Sequence, residues 1–271
     1  MAEPRSKPPI AVEKAHAVRV RRYVTELERW STPRLRAAIA ELYPNPTRSD
    51  SAHVDDGFAI VDRVLGAMRL RWLTEIATEE RIAEDCGKAG RQLDLFETAW
   101  ARKTLASVAV QGWTPGGKVE RLMPFWVQEH TDLISRGGTW RGKVIDPLGD
   151  KMIGEIGDVV REGFATGARH EQLAKQIRER FNVGRSRATL IARDQTNKLN
   201  GQLMKEDFAA AGLTAYIWRT SRDERVRPTH AALEGQTILW STPPPEGHPG
   251  APIQCRCTPA PVRALGQPRT P

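Results

Sequence analysis

The most informative part of the chain is Ala215-Tyr-Ile-Trp-Arg-Thr220, together with the three segments that follow it. These read Ser221-Arg-Asp-Glu-Arg-Val-Arg-Pro-Thr-His230, Leu233-Glu-Gly-Gln236 and Pro249-Gly-Ala-Pro-Ile-Gln-Cys-Arg-Cys257. The first stretch alternates between two sets of side chains, which is typical of a strand. Gly and Pro in the later segments predict turns that bring the chain back beside it. We therefore expect one compact polar site in this part of the chain.

Three short strands are predicted here, at residues 215–220, 237–240 and 253–258. The spacing of Ser221 and Glu224 is that of a capping box, so we expect a short helix to begin there. In the third strand, Cys255 and Cys257 would point to one face of the sheet, because successive side chains alternate.

Upstream of residue 212 the hydrophobic pattern is helical. Ser31-Thr-Pro33 predicts the start of a new helix, and Gly212 predicts the end of the last one. The turn-like residues 182–186 predict a helical hairpin, with a DNA-binding helix-turn-helix as the alternative.

The expected fold is therefore α+β and mostly α. An elongated helical N-terminal body would precede a small α+β C-terminal module with short antiparallel strands. The predicted regions are residues 1–130, 131–212 and 213–262, followed by a polar tail at 263–271.

Composition excludes some classes of protein. No run of 18 apolar residues occurs, which predicts no membrane span, and the N-terminus has no apolar signal region. Three cysteines form no disulfide framework and fit a reducing compartment. The net charge of +8 allows a nucleic-acid partner, although dispersed basic residues are also typical of solvated helix faces. Arg187, Arg193 and Lys198 are candidates for phosphate contacts without sequence readout.

The cysteine pair is a candidate zinc site. Two thiolates on one face, with a histidine from another element, suit a soft or borderline metal. His230 is the best third ligand, and His248 or Asp223 is the candidate fourth. The alternative is a pair of buried thiols beside a histidine that is hydrogen-bonded to backbone.

A catalytic interpretation also exists for Asp223, Arg225, Arg227 and His230. A histidine near a carboxylate can act as a general base, and arginines can stabilise a phosphate-centred transition state. A metal-dependent nuclease or toxin-like DNA-processing protein is therefore one alternative, and a non-enzymatic DNA-binding protein is another. No second, independently placed catalytic group is evident in the sequence.

The order of these elements resembles the phage minor head proteins, also described as Mu F-like head-morphogenesis proteins. The resemblance covers roughly residues 130–262. The motifs that carry it are Leu190-Ile-Ala-Arg-Asp-Gln195, Trp218, the Asp223-to-His230 spacing with Arg225 and Arg227, Gly235, and the Cys-Arg-Cys that contains Arg256. Many members have cysteines at the positions of Arg227 and His230, so their metal site would be fuller than the one in this chain.

This resemblance implies a structural virion component rather than an enzyme. Such a protein would be present in few copies inside the head or at the portal vertex after assembly in the host cytoplasm. Its partners would be the portal protein, capsid or scaffold proteins and, in one form of the hypothesis, packaged DNA. No small-molecule substrate is implied. The helical body followed by a small α+β module is also what the family implies.

Overall fold

The computed structural model describes residues 9–42, 54–140, 143–168 and 170–262. Within them the α-helices are α1 (Ile10–Leu42), α2 (Val54–Arg71), α3 (Glu79–Leu105), α4 (Val119–Thr131), α5 (Leu148–Ala165), α6 (His170–Ala210) and α7 (Pro228–Ala231). The strands are β1 (Gly138–Trp140), β2 (Lys143–Ile145), β3 (Ala215–Arg219), β4 (Thr237–Leu239) and β5 (Thr258–Pro261). The prediction of a mostly helical α+β fold is confirmed. The predicted tail at 263–271 lies outside the described residues.

The described chain divides into two compact units. One comprises residues 9–16, 86–126 and 192–262 and is called the sheet unit here. The other comprises the described parts of residues 17–85 and 127–191 and is called the hairpin unit, because it contains the β1–β2 hairpin. The predicted boundaries at residues 130 and 212 remain predictions.

The predicted break in the first helix is wrong, because α1 continues through Ser31-Thr-Pro33. Proline lacks a backbone N–H, but neighbouring side chains supply other donors to this turn. The hydroxyl of Thr32 donates to the carbonyl of Glu28 at 2.7 Å, and Arg34 donates to the carbonyl of Trp30 at 2.7 Å. Ser31 is buried rather than placed at an exposed helix start.

Both the helical hairpin and the helix-turn-helix at residues 182–186 are also wrong, since α6 is one helix of 41 residues. Gly184 had suggested a turn, but its missing side chain makes room for packing. A Cβ there would lie 2.5 Å from the sulfur of Met152 and 3.3 Å from Val24. Ser186 does not cap a helix; its hydroxyl donates to the carbonyl of Asn182 one turn earlier.

The hairpin unit contains two π-helical segments, Trp72–Ile76 and Asp132–Arg136, which pack against each other. The indole of Trp72 donates to the carbonyl of Ile134 at 3.1 Å, and the hydroxyl of Ser135 donates to the carbonyl of Ala77 at 2.6 Å. Gly149 on α5 admits the Trp72 ring, because a Cβ at that position would lie 2.2 Å from the indole nitrogen.

The sheet unit contains the three-stranded antiparallel sheet, in the order β4–β3–β5. Tyr216 pairs with Ile238 on one side of β3, and Trp218 pairs with Pro259 on the other. The predicted strands at 215–220 and 237–240 are therefore confirmed. Tyr216 and Trp218 are fully buried, and they belong to one apolar core with Ala101, Leu105 and Phe208.

Gly212 ends α6 as predicted, with a φ of 76°. The N–H of Gly212 donates to the carbonyl of Ala209, and that of Leu213 donates to the carbonyl of Phe208. This is the Schellman pattern of hydrogen bonds, and it directs the chain from α6 into β3.

A long loop then returns from β4 to β5 across the surface of α6. Gly201 on the helix and Gly250 in the loop touch through their backbones, because a Cβ on Gly201 would lie 2.5 Å from the carbonyl oxygen of Pro249. Further along, the N–H of Gln254 donates to the carboxylate of Asp194 at 2.6 Å. The helix thus holds the segment that carries both cysteines.

Candidate metal centre

Three buried side chains with metal-binding atoms meet in the sheet unit. The Sγ of Cys257 lies 3.5 Å from Nδ1 of His230, and the Sγ of Cys255 lies 3.8 Å from the same nitrogen. All three ligand atoms lie within 4.8 Å of one another. The structure therefore brings together three of the five residues that the sequence suggested as metal ligands.

The backbone that presents the thiols differs from the prediction. Cys255 and Cys257 were expected inside a strand, but β5 begins only at Thr258. Gln254 has a φ of 56°, and its N–H is held by Asp194. This left-handed residue and the turn around it, rather than strand alternation, bring the two thiols together.

The short helix that carries His230 also begins later than predicted. The capping box at Ser221–Glu224 does not form; the carboxylate of Asp223 instead accepts from the N–H of Arg225 at 3.0 Å. Pro228 occupies the first position of α7, where its missing N–H costs no helical hydrogen bond. His230 follows two residues later and faces inward.

The spacing of the three ligand atoms fits a zinc ion. With Zn–S and Zn–N bonds of their usual length at a tetrahedral angle, sulfur and nitrogen ligands stand about 3.6 Å apart. The sulfur–nitrogen separations of 3.5 and 3.8 Å bracket that value. Two sulfurs and one imidazole are also a donor set that zinc prefers.

Glu246 orients the histidine, and no sequence motif predicted this role. Its carboxylate lies 2.8 Å from Nε2 of His230 and accepts a 2.9 Å hydrogen bond from the hydroxyl of Thr229. An acceptor at Nε2 keeps the proton on that nitrogen, so the Nδ1 lone pair of a neutral ring faces the sulfurs. Metal-binding histidines commonly have such a carboxylate partner. The one sequence feature that could have pointed to Glu246 is that it is the single acidic residue of the Pro/Gly-rich loop at residues 241–250.

The thiols and the imidazole shift one another's pKa values. A hydrogen bond from the Cys257 thiol lowers the pKa of Cys255, and the imidazole of His230 acts in the same direction. Hydrogen bonding to Cys255 and burial raise the pKa of Cys257. The bond to Cys255 also raises the pKa of His230. The cluster therefore favours one thiolate, which is the form of cysteine that binds metals.

His248, the candidate fourth ligand, lies outside this group. Its Nε2 lies 3.1 Å from the carbonyl oxygen of Trp240, which can only accept, so this nitrogen carries the proton. Its Nδ1 then accepts from the hydroxyl of Tyr216 at 3.0 Å. Burial lowers the pKa of His248, and the charge of Lys205 lowers it further. Both ring nitrogens are thus occupied by structural hydrogen bonds.

Asp223, the other candidate ligand, is used by Arg256, with which it forms an ion pair. Arg227 donates to the carbonyl of Ile253 at 2.7 Å and lies 3.7 Å from the carboxylate of Glu246. Asp223 and Arg227 therefore connect the turn before α7 to the segment that carries the cysteines.

The remaining motif residues shape the sheet. Trp218 lies edge-on to His230, with ring centroids 5.4 Å apart. Gly235 has a φ of 81°, and its N–H donates to the carbonyl of Trp218 at 2.9 Å. Before it, Glu234 accepts hydrogen bonds from both the N–H and the hydroxyl of Thr220. Glu234 was not identified from the sequence, although it immediately precedes this glycine.

The three candidate phosphate-contacting residues each lie beside an acid. In the hairpin unit, Arg187 makes a bidentate pair with Glu155, at 2.8 and 3.1 Å. In the sheet unit, Lys198 lies 3.1 Å from Asp194. Arg193 lies 3.8 Å from Glu13. Across the described residues, no helix is both long and apolar enough to cross a membrane.

Residues 154–260 match the family described as Phage Mu protein F like protein. The matched range begins in α5 and ends in β5, so it includes α6, the sheet and all three candidate ligands. This confirms the resemblance drawn from the sequence.

Two curated proteins are also similar to the chain, and both are uncharacterised. One, from Haemophilus influenzae, is 34% identical over 121 residues, which are 44% of this chain and 27% of the relative. The other, from Methanocaldococcus jannaschii, is 36% identical over 173 residues, which are 64% of this chain and 25% of the relative. The chain thus spans about a quarter of the length of these relatives. No solved structure matches it significantly.

Proposed function

We propose, from the match of residues 154–260 to the family described as Phage Mu protein F like protein, that this chain is a minor head-morphogenesis protein of a phage. It would be a low-copy virion component that contacts the portal and assists head assembly or DNA packaging and delivery. The observation that supports this most is the extent of the match, which covers α6, the sheet and the candidate metal centre together.

The test is co-purification with the portal protein of the same phage genome. We expect the full chain to be retained on immobilised portal and to be found in purified particles at a small fraction of the major capsid protein. A chain that is absent from both procapsids and finished particles would contradict this proposal.

We further propose that the centre is structural and that the chain has no catalytic activity of its own. Two contacts support this: Asp223 is paired with Arg256, and Nε2 of His230 is bonded to Glu246. Asp223 is therefore held by Arg256, and the second nitrogen of His230, Nδ1, faces the two cysteine sulfurs at 3.5 and 3.8 Å. Plasmid cleavage by the purified protein with a divalent metal, abolished by His230→Gln, would contradict the proposal and favour the nuclease.

We propose that His230, Cys255 and Cys257 hold one zinc ion, which would cross-link α7 to the segment before β5. Purified protein is expected to contain about one equivalent of zinc by elemental analysis. His230→Gln should lose it, because an amide is a poor third ligand, while His248→Gln should keep it, because both nitrogens of His248 bind elsewhere. Cobalt substitution gives a second readout, since cobalt–thiolate absorption must disappear in the first variant and persist in the second. Equal zinc loss in both variants would contradict this ligand set.

A further inference from the structure

A cavity of about 100 Å³ adjoins the three candidate ligands in the sheet unit. Four arginines line it: Arg193 from α6, Arg225 and Arg227 from the turn before α7, and Arg256 between the two cysteines. The hydroxyl-bearing Ser221 lines it as well. Four guanidinium groups around so small a space are unusual, because like charges repel one another at short range.

Three of the four arginines are balanced by acids. Arg256 pairs with Asp223, Arg227 lies 3.7 Å from Glu246, and Arg193 lies 3.8 Å from Glu13.

The side chain of Arg225 has no such partner. Its guanidinium forms no hydrogen bond or ion pair with any residue in the described ranges; only its backbone N–H is engaged, by Asp223. The wall of the cavity therefore carries one guanidinium more than the carboxylates can balance.

We propose that this cavity binds a phosphate-type oxyanion beside the candidate metal centre. Guanidinium groups present planar pairs of N–H donors that match phosphate oxygens, and such charge-assisted bonds are strong. Arg225 supplies the unbalanced charge, while Arg256 and Arg193, with side chains only 18% and 28% exposed, are held in place by their acids. The anion would tie the turn before α7 to the cysteine segment.

The size of the cavity limits what can enter. Its volume is only about 100 Å³. A single compact oxyanion group such as phosphate is therefore the expected occupant. The group could be a free phosphate or one phosphate of a nucleic-acid backbone that lies across the opening.

The experiment is a titration of the full-length protein with inorganic phosphate at low ionic strength, followed by calorimetry and phosphorus NMR. We expect saturable binding of about one phosphate per chain. Arg225→Met should weaken it roughly tenfold or more, since one charge-assisted contact is removed.

Arg222→Met is the matched control. Arg222 lies in the same turn and carries the same charge, but its guanidinium pairs with Glu234 at 3.1 Å and does not line the cavity. We expect its phosphate affinity to equal that of the unchanged protein. Absence of saturable binding up to about 10 mM phosphate would overturn the proposal. An equal loss in both variants would also overturn it, because equal losses would indicate binding to diffuse surface charge rather than to the cavity.

Competition with a short single-stranded DNA oligonucleotide distinguishes the two sources of phosphate. Displacement of inorganic phosphate by the oligonucleotide assigns the cavity to a backbone phosphate; retention assigns it to a free phosphate. Titrations of zinc-loaded and metal-free protein separate this inference from the proposed zinc site. Because the isolated protein is used, failure to bind the portal leaves the phosphate result interpretable.

Discussion

At the scale of single residues, two buried carboxylates of the sheet unit differ in whether a partner group binds them. The carboxylate of Asp207 is paired with Lys118, although burial still raises its pKa. Glu97 on α3 is only 2% exposed, and neither of its carboxylate oxygens has a hydrogen-bond partner among the described residues. Burial raises the pKa of Glu97 well above its ordinary value of 4.5, and the nearby charge of Asp207 raises it further.

Glu97→Gln should therefore change how stability depends on pH. The folded protein retains a proton on Glu97 at pH values where the unfolded chain has released it. The resulting stability is complete below pH 4.5 and is lost as the pH rises toward the raised pKa. At pH 8 we expect the variant to gain about 1–3 kcal/mol in its free energy of unfolding, with a smaller change at pH 4.

Urea denaturation at both pH values measures this effect, and Glu120→Gln on the exposed face of α4 is the control. A variant that is equally destabilised at pH 4 and pH 8 would show that Glu97 contributes through packing rather than through its charge.

At the scale of elements, glycines decide where backbones meet. Gly201 lies within α6, where a glycine is normally unfavourable, yet it allows the loop from β4 to β5 to pack directly on the helix. A Cβ at this position would meet backbone atoms, at 2.5 Å from the oxygen of Pro249 and 3.2 Å from the Cα of Gly250. Such atoms cannot move aside as a flexible side chain can.

Gly201→Ala should consequently lower the free energy of unfolding by about 1–3 kcal/mol, as overpacking does. It should also weaken zinc binding, since the displaced loop leads into Cys255. Gly154→Ala on α5 is the matched control, because nothing lies within 4 Å of its Cβ position. We expect the control to gain about 0.5–1 kcal/mol from helix propensity alone. Thermal unfolding with zinc analysis tests both, and a stabilised Gly201→Ala protein would contradict the packing argument.

At the scale of the whole molecule, the sheet unit is assembled from three separated stretches of chain. Its core combines Ala101 and Leu105 of α3 with Phe208 of α6 and with Tyr216 and Trp218 of β3. The strands alone cannot bury these aromatic rings, because much of the apolar surface that covers them comes from other stretches.

We expect residues 213–262 not to fold when they are expressed alone. Residues 154–262 are also expected not to fold stably, because both fragments lack α3. Amide proton dispersion in NMR spectra and circular dichroism provide the measurement, with the full chain as reference. A fragment 213–262 with well-dispersed resonances would instead support the domain boundary predicted at residue 212.

Local pattern predicted much of the sheet unit. The alternation in 215–220, the φ requirement at Gly212 and Gly235, and the soft donor atoms of the Cys-x-Cys pair are all properties of short segments. They predicted β3 and two tight turns, because each depends only on residues close in the chain. They also indicated which side chains could form a histidine–thiol cluster, although His230 lies 25 and 27 residues before the two cysteines.

Packing decided the rest. Gly184 and Pro33 indicate breaks when only their neighbours in sequence are considered, but their helices continue. Gly184 is tolerated because Met152 and Val24 occupy the space beside it, and Pro33 lies in a turn where side chains donate to nearby carbonyls. Likewise, Glu246 reaches His230 only after the loop folds back. The order of residues along the chain defined which chemical groups were available. Folding selected their partners, since contacts between distant residues depend on how the elements pack.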